Sequence, residues 1–165
     1  MAGIQEKTNG LPLYDLKVAE RDGRRWVFDA IRRKYVALTP EEWVRQQFVR
    51  YLTDGMGYPR GAIANEVTLR LYRTTKRCDT VVFDPYSRPW MVIEYKAPTV
   101  ELGEEVFRQI MRYNEALHAT YLVVSNGRRL LCCQMDYETG SCRFLPGLPR
   151  FWSETKKQRT MGSEE

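Results

Sequence analysis

The chain has 165 residues, 43% hydrophobic, 28% charged and 12% aromatic, enough apolar material for one ordinary domain and too much for wholesale disorder. Its 26 Lys and Arg against 21 Asp and Glu leave a net charge of +5, a mild basic excess compatible with an anionic partner such as nucleic acid. No stretch is long and apolar enough for a membrane span or a signal peptide, and Cys78, Cys132, Cys133 and Cys142 show no CxxC spacing; a reduced, cytoplasmic protein with no membrane contact and no zinc ribbon is expected.

Residues 1–13 read as a loose arm, 14–150 as a single domain and 151–165 as a polar, disordered tail. In VAERDGRRWVFD the Asp22-Gly23 pair predicts a tight hairpin turn. Ile31 to Leu38 reads as a further extended piece. Thr39-Pro40-Glu41-Glu42 then starts a helix, with Thr39 as the cap, Pro40 at the first helical position and Glu42 completing a capping box. This helix is expected to run to about Thr53, with Val44, Phe48, Tyr51 and Leu52 as its apolar stripe, before DGMGYPRG breaks it.

From Ile63 to Tyr72, Val67, Leu69 and Leu71 alternate with Glu66, Thr68 and Arg70, the period of a half-buried strand. Thr74 to Arg77 reads as a turn, and Cys78 to Phe83 as a third extended segment. Asp84-Pro85-Tyr86-Ser87 turns the chain into Trp90 to Lys96, the hairpin partner. A second helix is expected from about Leu102 to Leu117, its inner stripe formed by Val106, Ile110, Tyr113 and Leu117. Tyr121 to Ser125 is short and β-branched, and a strand after a helix invites parallel crossover pairing. Asn126-Gly127 predicts a turn into a last strand, Leu130 to Met135. The order of helix, three strands, helix and two strands implies an α/β domain with a mixed central sheet flanked by helices.

The chemistry concentrates in WMVIEYKAP, residues 90–98. An apolar strand there ends in Glu94 and Lys96, which alternation places on one face, with Tyr95 turned to the other. Counted outward from the Tyr86-Ser87 tip, Asp79 and Glu94 lie about equally far along their strands and should meet across the hairpin. Two neighbouring carboxylates repel unless neutralised, and an oxygen-only set suits Mg²⁺ or Mn²⁺. A lysine beside them can stabilise negative charge building on a phosphorus centre.

Asp79 followed by Glu94-Tyr95-Lys96 resembles the core of the PD-(D/E)xK nuclease superfamily. Gln109 and Tyr113, four apart on one helix face, are similar to the Gln-xxx-Tyr element of several of its branches. Taken in order, YVALTPEEWVRQQFVRYL, IANEVTL, KRCDTVVFD, VIEYKAP, QIMRYN and YLVVSNG resemble the N-terminal nuclease domain of type I restriction enzyme R subunits over residues 25–145. The position before Asp79 is Cys78 rather than proline, and no GxxxxGK[ST] loop occurs, so these residues carry no ATPase motor.

The resemblance implies a restriction-endonuclease-like αβββαβ core and Mg²⁺-dependent (or Mn²⁺-dependent) endonucleolytic cleavage of DNA. Asp79, Glu94 and the Tyr95 backbone carbonyl would hold the metal, and Lys96 would be the catalytic lysine. Gln109 and Tyr113 would be accessory. Glu42 and Glu66 are competing candidates for a further acid, although a cap and an exposed strand position explain them as well. Arg73, Lys76 and Arg77 precede Asp79 and are candidates for phosphate contact. DNA is the implied partner, with a homodimer or a restriction-system partner chain for double-strand cutting. The alternative is a non-catalytic nucleic-acid- or protein-binding module of the same fold. His118, the one histidine, sits at a helix end and suits the helix dipole better than general base work.

Overall fold

The computed structural model describes residues 11–152. Most of the expected N-terminal arm and nearly all of the expected tail lie outside these residues. A small antiparallel sheet comes first, made of β1 (Val18–Arg21), β2 (Arg24–Asp29) and β3 (Lys34–Ala37) in the order β1-β2-β3. Asp22 and Gly23 form its first turn with φ of 54° and 73°, the left-handed pair that a two-residue hairpin loop requires. Helix α1 (Pro40–Arg50) follows, capped by Thr39, whose hydroxyl accepts from Glu42 N at 3.1 Å. The helix closes in a π-type turn over Tyr51–Gly55.

A six-stranded sheet comprises β4 (Ile63–Leu71), β5 (Thr74–Phe83), β6 (Pro89–Tyr95), β7 (Tyr121–Ser125), β8 (Leu130–Asp136) and β9 (Ser141–Leu145). Its spatial order, β4-β5-β6-β7-β8-β9, is the order in the chain. Every pairing is antiparallel except β6 with β7, which helix α2 (Glu104–Leu117) connects as a crossover. The succession α1, β4, β5, β6, α2, β7 is therefore a mixed α/β arrangement of the expected kind.

Each helix covers one face of this sheet. Val44, Phe48 and Leu52 of the α1 region pack with Val82, Ile93, Tyr95, Val123 and Cys132. Ile110 and Tyr113 of α2 pack with Val81, Val92, Leu122, Val124 and Cys133 on the opposite face. Successive residues of β6, β7 and β8 thus divide between two cores, as pleating demands. Cys132 and Cys133 fall on opposite sides, as small buried residues. Gly127 (φ +85°) turns β7 into β8, and a Cβ there would meet Val44 Cγ2 at 3.3 Å, so backbone conformation and α1 packing both select glycine.

Two expectations need correction. Thr74 to Arg77 is strand, not turn; the reversal is at Tyr72-Arg73, with Tyr72 at φ +54°. The polar run is explained by exposure, because residues 74–77 are all exposed, and two β-branched threonines sit well in an extended chain. Strand β9 was also not expected. It pairs with β8 through a short Tyr137–Gly140 reversal in which Asp136 Oδ1 accepts from the N–H groups of Glu138 and Thr139 at 3.0 and 3.2 Å.

Candidate active site

The ladder between β5 and β6 runs through Thr80↔Ile93 and stops there. One step further, Asp79 and Glu94 would be the next partners. Instead of a backbone carbonyl, Asp79 Oδ2 accepts the Tyr95 N–H at 2.8 Å. A side chain thereby replaces a ladder bond at the point where two strands diverge, which fixes the Asp79 carboxylate against the β6 backbone.

Glu94 is 6% exposed, and its Oε2 is buried with no hydrogen-bond partner. Burial first, and then the charge of Asp79, push its carboxyl up to about 8, with Lys96 acting in the opposite direction. Asp79 is close enough to hydrogen-bond the Glu94 carboxyl when one of the two holds a proton. Asp79 is raised as well, because burial outweighs its bonds to the Tyr95 N–H and Arg45. Two desolvated carboxylates side by side are a site short of positive charge.

Lys96 lies just past β6. Its Nζ is 3.9 Å from Glu94 Oε1 and donates to Gln109 Oε1 at 3.1 Å. Gln109 Nε2 in turn donates to Tyr113 Oη at 3.2 Å. One turn of α2 thus presents Gln109 and Tyr113 together, and the Glu94-Lys96-Gln109-Tyr113 series is continuous across two elements. Tyr95 points the other way into the α1 core, its ring 5.6 Å from that of Phe48. Its hydroxyl also donates to Thr80 Oγ1 at 3.0 Å, so the side chain does more than fill space.

Beyond Asp79 lies a charge network that sequence reasoning did not foresee. Arg45, 7% exposed on α1, reaches Asp79 Oδ1 at 3.4 Å, Glu42 Oε2 at 3.1 Å and Glu66 Oε1. Glu42 is held from its other side by Arg32, which also binds Asp29. The chain then continues through Asn65 Nδ2 to Asp29 Oδ2 at 3.0 Å and Thr80 Oγ1 to Asn65 Oδ1 at 2.7 Å, returning to Tyr95 Oη. Tyr95 is therefore tied at both ends: its N–H to Asp79 and its hydroxyl to this loop of polar groups. A readable signal was the Glu42–Arg45 spacing of i, i+3 on α1, a helical ion-pair distance.

The network revises two candidates. Glu42 does not close a capping box; its carboxylate turns to Arg32 and Arg45, which a hydrogen bond to one N–H could not match. Burial nevertheless outweighs Arg45 and Arg32 and leaves the Glu42 carboxyl raised. Glu66 sits in β4 at φ +58°, a conformation costly for a side chain other than glycine. Both its oxygens are engaged, Oε1 by Arg45 and Oε2 by Arg77 at 3.0 Å. Burial would raise its carboxyl, but the two guanidinium groups prevail and hold it below the ordinary range. Both acids thus sit against guanidinium groups. Lys76 and Arg77 alternate on β5 and line separate clefts, Lys76 beside Gln109 and Tyr113, Arg77 beside Asp79 and Glu66. Arg73 is exposed at the hairpin tip, and His118 caps α2 while stacking on Tyr137 at 4.6 Å.

Among the described residues no group of three or more His, Cys, Asp and Glu side chains gathers in a metal-holding arrangement. The centre offers two carboxylates, one with an unpartnered buried oxygen, and only oxygen donors. That is the donor set of a Mg²⁺-type ion, which takes one or two carboxylates and fills its remaining positions with water or substrate oxygens. The residues present fit such a cation.

The family model described as "Type I restriction enzyme R protein N terminus (HSDR_N)" matches residues 40–149, from α1 through β9. Among solved structures, the chain is similar to a fragment assigned as an HsdR subunit of a type I restriction enzyme from Vibrio vulnificus YJ016, with a TM-score of 0.50 and 21% identity. The likeness covers 76% of this chain and 26% of that one, so the chain spans about a quarter of that structure's length and shares its fold. No curated protein matches the chain. Among the described residues no helix is long and apolar enough to cross a membrane.

Proposed function

Since the chain belongs to the family of type I restriction enzyme R protein N termini, we propose that it is a PD-(D/E)xK-type nuclease domain that hydrolyses DNA phosphodiester bonds with Mg²⁺ or Mn²⁺. The observation that carries this reading is the buried Asp79–Glu94 pair, with one unpartnered Glu94 oxygen, beside a lysine anchored by Gln109.

Asp79, Glu94 and the Tyr95 carbonyl would hold the cation. When bound, it supplies Lewis-acid polarisation of the phosphate oxygens. The protein's own groups do the rest. The Tyr95 N–H holds Asp79 in place, so the carboxylate is oriented before substrate arrives. Lys96, fixed between Glu94 and Gln109, sets an ammonium where negative charge grows on the phosphoryl oxygens. The Lys96 ammonium can only donate, so it selects the Gln109 amide oxygen, and the amide nitrogen is left to donate to Tyr113 Oη. DNA is the substrate, and a second copy or a restriction-system partner would supply the second cut of a duplex.

The test is nicking of supercoiled plasmid DNA. The wild-type chain should convert it with Mg²⁺ or Mn²⁺ and not in EDTA, and Asp79→Asn should remove the activity. DNA that is retained but never cut by the wild-type chain, with either metal, would instead favour a binding module.

A second check uses stability. Glu94 has a folded-state pKa near 8, above its unfolded value, so its contribution is present at low pH and is lost as pH rises toward 8. Asp29 and Glu66 are shifted the other way; their contributions are complete above the ordinary carboxylate range and constant through this window. The metal-free protein should therefore lose stability as pH rises from the ordinary carboxylate range to about 8 and level off above it, with Asp79 and Glu42, raised in the same direction, adding to the loss. A bound cation removes the repulsion, so Mg²⁺ should raise the melting temperature more at pH 8.5 than at pH 6. Equal Mg²⁺ effects at both pH values, or the same response in Glu94→Gln, would count against the carboxylate pair as the binding site.

A further inference from the structure

The ladder between β5 and β6 ends at Thr80↔Ile93, but β4 and β5 continue to pair through Val67↔Cys78, Thr68↔Arg77, Leu69↔Lys76, Arg70↔Thr75 and Leu71↔Thr74. These five pairs make a two-stranded ribbon that extends past β6, beginning one residue from Asp79. Residues 67–78, VTLRLYRTTKRC, carry four basic side chains and no acidic one. One face of the ribbon is committed, since Val67 and Leu69 pack toward the α2 core. The other face presents Thr68, Arg70, Thr75 and Arg77, all exposed, in two adjacent cross-strand pairs. The tip is Tyr72, 96% exposed, followed by exposed Arg73.

The foot of the ribbon adjoins the candidate site. Arg77 lines the polar cleft that contains Asp79 and there binds Glu66; Arg32 and Lys34 line the same cleft alongside Glu41 and Glu42. The ribbon therefore leads from an exposed basic tip to the cleft that contains Asp79.

We propose that this ribbon is a duplex-DNA-binding arm that seats its Thr68/Arg70/Thr75/Arg77 face in the major groove and so delivers a flanking phosphate to the carboxylate site; the inference rests on the nuclease reading above. The dimensions agree. Paired strands lie about 4.8 Å apart and five pairs extend about 17 Å, whereas the major groove is about 12 Å wide and admits a two-stranded ribbon. Guanidinium and hydroxyl groups are the donors that bind phosphates and base edges there. A single strand would favour a row of stacking aromatics; this face has none, and the one aromatic is at the tip.

The experiment measures binding of a labelled duplex, and of the single strand of the same sequence, by fluorescence anisotropy in EDTA across a salt series. The proteins compared are wild type, Arg70→Ala/Arg73→Ala and Arg70→Lys/Arg73→Lys. The alanine pair should weaken duplex binding by about tenfold or more and flatten the slope of log K against log salt by about 1.8, the loss of two phosphate contacts. The lysine pair should keep the slope, and single-strand affinity should change little. Wild-type affinity and slope in the alanine pair would overturn the arm, as would an equal loss on single strands or a loss shared by the lysine pair. Plasmid nicking separates the two readings. Arg70- and Arg73-dependent duplex binding without any nicking by wild type would uphold the arm and reject the nuclease. Nicking by wild type with unchanged binding in the alanine pair would reject the arm alone.

Discussion

Lys96→Met is expected to lose DNA cleavage by about 10² to 10³-fold, the usual cost of removing one preorganised donor from a charge-stabilising site. The melting temperature and DNA affinity should stay near wild type. Lys96 is past the end of β6, methionine keeps its unbranched stem, and its ammonium contacts Gln109 and approaches Glu94. Removing it takes away one cation and leaves the Asp79–Glu94 pair in place. Lys96→Arg should not restore the rate. A planar guanidinium cannot occupy the point position between Glu94 and Gln109, and it does not exchange a proton near neutral pH. Gln109→Ala should give a smaller fall of the same kind, since it frees Lys96 without deleting it. Cleavage at wild-type rate by Lys96→Met would remove the lysine from the mechanism.

Arg45→Ala should be the most damaging single change to stability. The guanidinium is almost fully buried and is shared by Glu42, Glu66 and Asp79. Its deletion takes the guanidinium from Asp79 and leaves Glu42 with Arg32 alone and Glu66 with Arg77 alone; Asp79 and Glu42 are already raised by burial with the arginine present. Removing one partner from a buried ionic group costs about 3–5 kcal/mol. For a domain of this size that corresponds to a fall of roughly 6–20 °C in melting temperature. Adding Glu66→Gln to Arg45→Ala should recover part of the loss, because the two residues are in direct contact and their effects are not additive. A wild-type urea midpoint for Arg45→Ala would show the network to be energetically idle.

How far the sequence was readable depends on whether a residue's partner is local. Glu94 and Lys96 follow from strand alternation, and Asp79 from counting along one hairpin; each inference needs only a period of two and a turn. Gln109 and Tyr113 share a helix face by the 3.6 period, and their meeting with Lys96 required only that α2 return to β6. Arg45 was missed for the opposite reason. Of its three acidic partners only Glu42 shares its helix, at a readable i, i+3 spacing; Glu66 and Asp79 come from β4 and β5, and no periodicity announces their convergence on one buried arginine. Glu42 was read from its nearest neighbours as a capping residue, whereas a two-arginine environment decided its orientation. The Tyr72-Arg73 reversal contains neither Gly, Pro, Asn nor Asp, so turn chemistry gave no sign of it, and the polar Thr-Thr-Lys-Arg run took its place.

The strand order of the large sheet bears on how the domain comes into being. Each strand from β4 to β9 lies beside its neighbour in the chain, and all but one of the pairings are made by short reversals. Loop closure for such pairings carries little entropic cost, and low contact order favours rapid folding. The exception is Met91↔Tyr121 and its successors, which must wait for the intervening helix. Synthesis therefore delivers the parts of the centre in stages. The Asp79–Glu94 hairpin can form as soon as β6 has emerged, while Gln109 and Tyr113 arrive with the helix that completes the crossover. A ribosome-bound chain truncated before α2 would hold the two carboxylates without Gln109 and Tyr113, so Lys96 would have no partner on a helix until the crossover is complete.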